Sequence, residues 1–242
     1  MEFRANFIAK LLQNATWIIF YILIVLVIFG QTKEVAGWNR DRVFVLIATI
    51  SLITSIHSAF FFSCFELPEQ VRRGTLDFVI TKPVDSMFWV SVRRFNITSL
   101  GTITASLIML GVGLAQGGKV PTPESWLAYL LLCVFSLVMV YSLGMILMTS
   151  SIYFVRVDNL WVLAETCLET ARYPVDIYQT RIPQLLTLYI PLGLLASVPA
   201  RTLFEGPNWL FVAAAALWSV IFALAARWFW LFSLGRYTSS SS

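Results

Sequence analysis

Charge is the first thing this chain has little of. Only 12% of its 242 residues are Asp, Glu, Lys or Arg, against 58% hydrophobic, and the mean hydropathy is +0.78. A soluble domain of ordinary composition carries about twice that share of charge, so this balance excludes one and points to an integral membrane protein. Histidine is nearly absent, with His57 standing alone. Cys64, Cys133 and Cys167 are isolated, odd in number and set in or beside apolar runs, as small buried thiols are, which argues against a disulfide or metal site. With no clustered Cys and no Ser or Asp in a recognisable nucleophile context, an intramembrane enzyme is hard to build. No Gly-x-x-x-x-Gly-Lys-Ser/Thr occurs, Gly118-Lys119-Val120 being a failed match, so the chain does not hold nucleotide through a P-loop. The net charge of +4 is small and spread along the chain, which gives no case for nucleic acid.

What is present is apolar sequence in long runs. A span needs about 20 mainly apolar residues to cross a hydrocarbon core of roughly 30 Å, and five or six such runs fit. Residues 3–14 place Phe3, Phe7, Ile8, Leu11 and Leu12 opposite Arg4, Lys10 and Gln13, the pattern of a helix lying in the interface. Residues 16–30 read as a retained first span, since no small-x-small cleavage pair follows before Lys33. The second span covers 43–65, where Ser51, Ser55 and Ser58 offer a small polar face to another helix. His57 lies beside that face, either hydrogen-bonded within the bundle or serving as a proton relay. The third span covers 97–116, with Thr98, Thr102 and Ser106 and then Gly101 and Ala105 forming two ridges for close packing; the fourth covers 126–150.

Beyond residue 151, charges and Pro174, Pro183, Pro191 and Pro199 interrupt the pattern. Two layouts satisfy it. Either 154–172 is a short fifth span and 173–206 a hairpin that dips into the bilayer, or 151–183 is interfacial and 185–204 is the fifth span. The sixth span is 209–234 in both, with Arg227 able to snorkel. With the N-terminus inside, the second layout places twelve of the seventeen basic residues in the cytoplasm and the first places ten. Both put the termini and the stretch 66–94 on the cytoplasmic side.

That stretch carries charge, a Gly and two Pro between apolar runs. Glu66 and Glu69 suit the start of a short helix, Pro68 an early helical position, and Gly74 its end, while Lys82-Pro83 stops the next segment. The product is either a compact helical projection or a solvated loop. Glu66-x-x-Glu69-x-x-Arg72-Arg73-Gly74-Thr75-Leu76-Asp77, followed by Thr81-Lys82-Pro83-Val84, resembles the cytoplasmic coupling segment between the second and third spans of ABC-2 type permeases, the membrane subunits of ATP-driven exporters. The Pro series before residues 201–206 is similar to that family's re-entrant hairpin. The resemblance covers nearly the whole chain.

It implies an all-α membrane protein, one permease domain over 1–242, with six transmembrane helices, an N-terminal interfacial helix, a cytoplasmic coupling helix in 66–94 and a re-entrant hairpin in 173–206 before the last span, as in ABC-2 or type V exporters. Glu66, Glu69, Arg72, Arg73 and Asp77 would be docking or helix-end charges, Gly74 would permit a close turn, and Pro83 would lead into the third span. The resemblance also implies two cytoplasmic ABC ATPase subunits, which bind the ATP and Mg so that this chain binds no cofactor, and a second permease copy or a related one. The expected setting is the cell inner (plasma) membrane, and the expected cargo an amphipathic or lipid-linked substrate.

A second constellation is Asp158, Glu165, Glu169 and Arg172, which step by seven, four and three along one helical face. Charges within a span cost roughly 2.5–3.5 kcal/mol each near its centre, so this face would avoid lipid. It would line a substrate path or belong to an interfacial helix. An ATP-independent transporter or channel would prefer paired internal repeats, and residues 1–120 and 121–242 do not form a convincing pair. A non-transporting membrane scaffold is the third reading.

Overall fold

In the computed structural model the described residues are 2–118, 120–154, 162, 165, 166, 168–178, 182–188 and 191–237. Eleven helices are named here: α1 (Glu2–Gln31), α2 (Arg40–Phe61), α3 (Leu67–Arg72), α4 (Asp77–Ile80), α5 (Ser86–Val92), α6 (Ser99–Gln116), α7 (Pro123–Thr149), α8 (Ile182–Leu188), α9 (Leu192–Leu195), α10 (Ser197–Glu205) and α11 (Trp209–Leu234). Among the described residues, four helices are long and apolar enough to cross a membrane: α2 with its extension, α6, α7 and α11. Among the described residues of α1 an apolar run covers Ile19–Gln31. Most of the fifth span expected at 154–172 lies outside the described residues, as does Asp158.

The long helices start where local chemistry supplies their unpaired backbone donors. Asn39 caps α2 by accepting from the Arg42 N–H at 3.1 Å, Thr122 caps α7 by accepting from Ser125 with Pro123 in the first turn, and Asn208 caps α11. Between α1 and α2 the chain reverses through Ala36 and Gly37, both at positive φ (52° and 82°), and Val35 and Trp38 exchange N–H···O bonds of 2.9 Å across the turn. The amphipathic segment 3–14 and the apolar segment 16–30 form one continuous helix, with no Pro or Gly between residues 2 and 29 to stop it.

Helices α2 and α6 form one extensive pair and α7 and α11 the other, while α2 also packs on α7. At Gly113 a Cβ would meet Val45 Cγ2 at 2.8 Å and the Asp41 carbonyl at 3.1 Å, so α6 approaches the backbone of α2 as closely there as a glycine permits. Several hydroxyls along the spans bond to carbonyls of their own helices, as in Thr49 Oγ1 to Val45 O (2.7 Å) and Ser106 Oγ to Thr102 O (2.7 Å).

Two apolar clusters divide the length of the bundle. The larger, around Leu46, Ile50, Tyr129, Leu132, Leu194 and Leu203, joins α2 and α7 to α9 and α10. The smaller, around Cys64, Leu67, Leu76, Val90, Met145 and Trp230, sits under α3, α4 and α5. A continuous span at 185–204 is not formed: the segment breaks at Pro191 and again at Ala196 (φ −143°, ψ −46°). Leu194, Ala196 and Ala200 are fully buried there, and Ser136 of α7 donates to the Leu194 carbonyl at 3.1 Å.

Candidate functional site

The site grows from the end of α2. Past Phe61 the helix tightens into a 3-10 turn, Phe62–Glu66, and α3 follows with Pro68 in its first turn, where a missing N–H removes no helical bond. Gly74 ends α3 at φ +67°. Its N–H bonds to Val71 O (3.2 Å) and the Thr75 N–H to Gln70 O (3.0 Å), the paired bonds of a helix closed by a left-handed residue. After α4, Pro83 lies in the bend before α5. The helix α6, expected as the third span, begins only at Ser99, so Pro83 leads into the short helix α5 instead.

The segment is fastened to the long helices through α5 and the turn before α3. Glu66 bonds Arg93 and, at 2.7 Å, Arg94, closing the ends of the segment on each other. The Arg94 N–H donates to Ser63 Oγ (2.9 Å) and Asn96 N–H to Ala59 O (2.9 Å), which ties the exit of α5 to α2. Ser91 and Tyr141 share a 2.8 Å hydroxyl bond that joins α5 to α7. Asp85 accepts from the Phe88 N–H at 2.9 Å as the cap of α5, and its other oxygen meets Arg227 of α11 at 2.7 Å. The Phe88 N–H above all, with the Arg227 guanidinium beside it, holds the Asp85 carboxyl below its usual range against the opposing effect of burial. Trp230, fully buried, donates from Nε1 to Ser86 Oγ at 3.1 Å.

The outer surface is different. Glu69 pairs with Arg72 at 2.6 Å and with Arg73 one residue on, in a triad that is largely exposed. Phe78 of α4 and Phe88 of α5 are also exposed, at 73% and 59%. Glu66, Glu69, Arg72, Arg73, Gly74, Asp77 and Pro83 thus share one end of the molecule, but Glu66 faces inward as a clamp and is not among the outward charges.

Sequence reasoning missed the clamp, the Asp85–Arg227 link and the Ser86–Trp230 contact. Arg227, expected to snorkel, is held by Asp85. A charge-pair search over all separations would have raised the two ion-pair links but not the Ser86–Trp230 bond. Of the second constellation, Glu165 and Glu169 are exposed and Arg172 lies over the Tyr21 ring of α1 at 4.4 Å. His57 is buried between the rings of Phe61 and Phe65, and its Nε2 lies 3.7 Å from where a Gly144 Cβ would be, with no hydrogen-bond partner among the described residues. No group of three or more His, Cys, Asp or Glu able to hold a metal occurs among the described residues.

At the opposite end Trp38 Nε1 donates to Asp176 Oδ2 at 2.8 Å, Arg201 pairs with the same carboxylate and lies 5.4 Å over the Trp38 ring, and Arg42 meets Glu205 at 2.8 Å. Asp176, Arg201 and Glu205 line a cleft of about 1040 Å³ with Thr187 and Trp209.

Long apolar helices joined to a braced polar projection define a multi-pass helical membrane protein. Residues 15–241 match the family described as ABC-2 family transporter protein, and the chain belongs to that family of transport membrane subunits, which work with ABC ATPases. No curated protein and no solved structure matches it.

Proposed function

We propose that the chain is the permease subunit of an ABC-2 type exporter, that residues 66–94 face the cytoplasm and receive an ATPase subunit, and that two permeases with two ATPases form the working assembly in the cell inner membrane. The observation that carries this reading is the bracing of the segment to three long helices. A displacement applied to α3–α5 passes to α2 through Glu66, Ser63 and Asn96, to α7 through Ser91, and to α11 through Asp85 and Ser86, as a rigid-body mechanism needs. The exposed Glu69–Arg72–Arg73 triad and Phe78 supply a polar and apolar face for the ATPase.

Substitution of Arg72→Glu with Arg73→Glu is expected to cut ATPase recovery in mild-detergent co-purification about tenfold while membrane insertion stays normal, since like charges then meet Glu69 and the partner. Equal recovery removes the docking role, and tagged wild-type protein that brings down no ABC ATPase removes the exporter reading. The cargo is proposed to be amphipathic or lipid-linked, with Glu165, Glu169 and Arg172 on its path. Glu165→Gln with Glu169→Gln should then change substrate-stimulated ATP hydrolysis, and wild-type stimulation takes them off the path.

A further inference from the structure

Between α3, α4 and α5 lies a cleft of about 370 Å³ lined by Gln70, Thr75, Phe78, Lys82, Trp89, Arg93 and Arg94 among others. Its floor is chemically unfinished. Gln70 is only 7% exposed, yet neither Oε1 nor Nε2 has a hydrogen-bond partner among the described residues, and Arg93 Nε is buried in the same condition. Buried amide and guanidinium groups seldom stay unsatisfied, and each such group without a partner is a cost that a bound molecule can remove.

The lining states what that molecule must offer. Lys82, Arg93 and Arg94 are cationic, and the lining contains no acid. Glu66 bonds Arg93 Nη2 and Arg94 Nη1 and leaves Arg93 Nε unused. Lys82 Nζ sits 3.7 Å over the Trp89 ring, a cation held in place by an aromatic face. An anion accepting from Arg93 Nε and Gln70 Nε2 fits, provided it also carries a donor for Gln70 Oε1.

Depth decides which anion. Phe95, Ile97 and Leu100 are exposed within a few residues of Arg93 and Arg94, at the base of an apolar helix, and the exposed Phe60 of α2 sets its ring 5.2 Å from that of Phe95. Apolar side chains so placed face acyl chains, and a Trp with Arg just beyond them marks the headgroup level. The anion found at that level is the lipid phosphate. We propose that this cleft binds the phosphodiester headgroup of an anionic phospholipid, the headgroup hydroxyl donating to Gln70 Oε1. The cleft shares Phe78 with the face offered to the ATPase but uses no member of the Glu69–Arg72–Arg73 triad.

Native mass spectrometry of the full chain in a neutral maltoside detergent tests this, with phosphatidylglycerol and phosphatidylcholine of the same acyl chains as probes. The expected result is about tenfold preference for phosphatidylglycerol, reduced about fivefold by Lys82→Gln and by Gln70→Leu with phosphatidylcholine binding unchanged. Lys82 is exposed, so its variant keeps the test valid should the other fail to fold. Equal binding of the two lipids, or phosphatidylglycerol binding indifferent to both substitutions, overturns the site. Displacement by excess inorganic phosphate overturns the lipid assignment in favour of free phosphate. The lipid measurement uses the permease without any ATPase, so its outcome is separate from the fate of the exporter reading.

Discussion

Both ends of the bundle are finished with short, Pro-interrupted helices, and both contain an arginine held by a carboxylate, yet they are built on opposite plans. At one end α9 and α10 enter the bundle: Leu194, Ala196, Ala200 and Leu203 are buried with α2 and α7 in the main cluster, and the charges Asp176, Arg201 and Glu205 stay at its rim. At the other, α3, α4 and α5 stay outside the long helices as one projection, fastened to them by directional contacts through α5 and its flanks, with only a small apolar cluster beneath. An inserted cap has no surface of its own and moves only when the core repacks. A fastened cap keeps an exposed face and passes displacement on through its links, which suits the element proposed to meet the ATPase.

Apolar truncation should give the largest effects, and should do so at both ends for different reasons. Leu203→Ala leaves a void between α10 and its neighbours, and Trp230→Ala removes both the centre of the small cluster and the bond to Ser86. Each is expected to cost about 2–5 kcal/mol, read as a lower midpoint of thermal unfolding in detergent. The comparison sharpens if Trp230→Ala also lowers ATPase recovery while Leu203→Ala, at matched stability, does not. Equal loss of recovery in both would show that the two caps are mechanically equivalent and break it.

Glu66→Gln comes next. Glu66 and Arg93 are only about a quarter exposed, so loss of the carboxylate leaves Arg93 without its ionic partner at a cost of about 1–3 kcal/mol. The effect should be local: faster amide exchange through residues 66–94, with the helix pair α2–α6 unchanged. Uniformly faster exchange would mean that the projection is not a separate fastened unit.

How much of this contrast the sequence disclosed follows from the range over which each determinant acts. Pro68 and Gly74 mark the start and end of α3 because a ring without an N–H and a residue at positive φ act within one turn of chain. The Pro series likewise announced breaks before the last span, but its apolar content suited an inserted hairpin and an interfacial segment equally, so composition left two layouts open. The amphipathic period of residues 3–14 suggested a separate helix, whereas backbone continuity depends on breakers, and none lies there. The fastenings were illegible: Glu66 finds Arg93 and Arg94 only after α3–α5 fold back, and Asp85 finds Arg227 across 142 positions of sequence, which no local period encodes.

The smallest expected effect belongs to Asp85→Asn, and it isolates one fastening. Asn still caps α5 through its side-chain oxygen, so the substitution removes the charge facing Arg227 and little else. Both side chains are over 40% exposed, and exposed pairs contribute about 0.2–1 kcal/mol. The sign with pH follows from the depressed carboxyl. Its stabilising contribution is complete above the ordinary carboxylate range and disappears as pH falls through the lower folded-state value. The unfolding midpoints of wild type and Asp85→Asn should therefore differ slightly at neutral pH and converge in acid. A gap that persists at low pH would assign Asp85 a packing role and leave α5 joined to α11 through Ser86 and Trp230 alone.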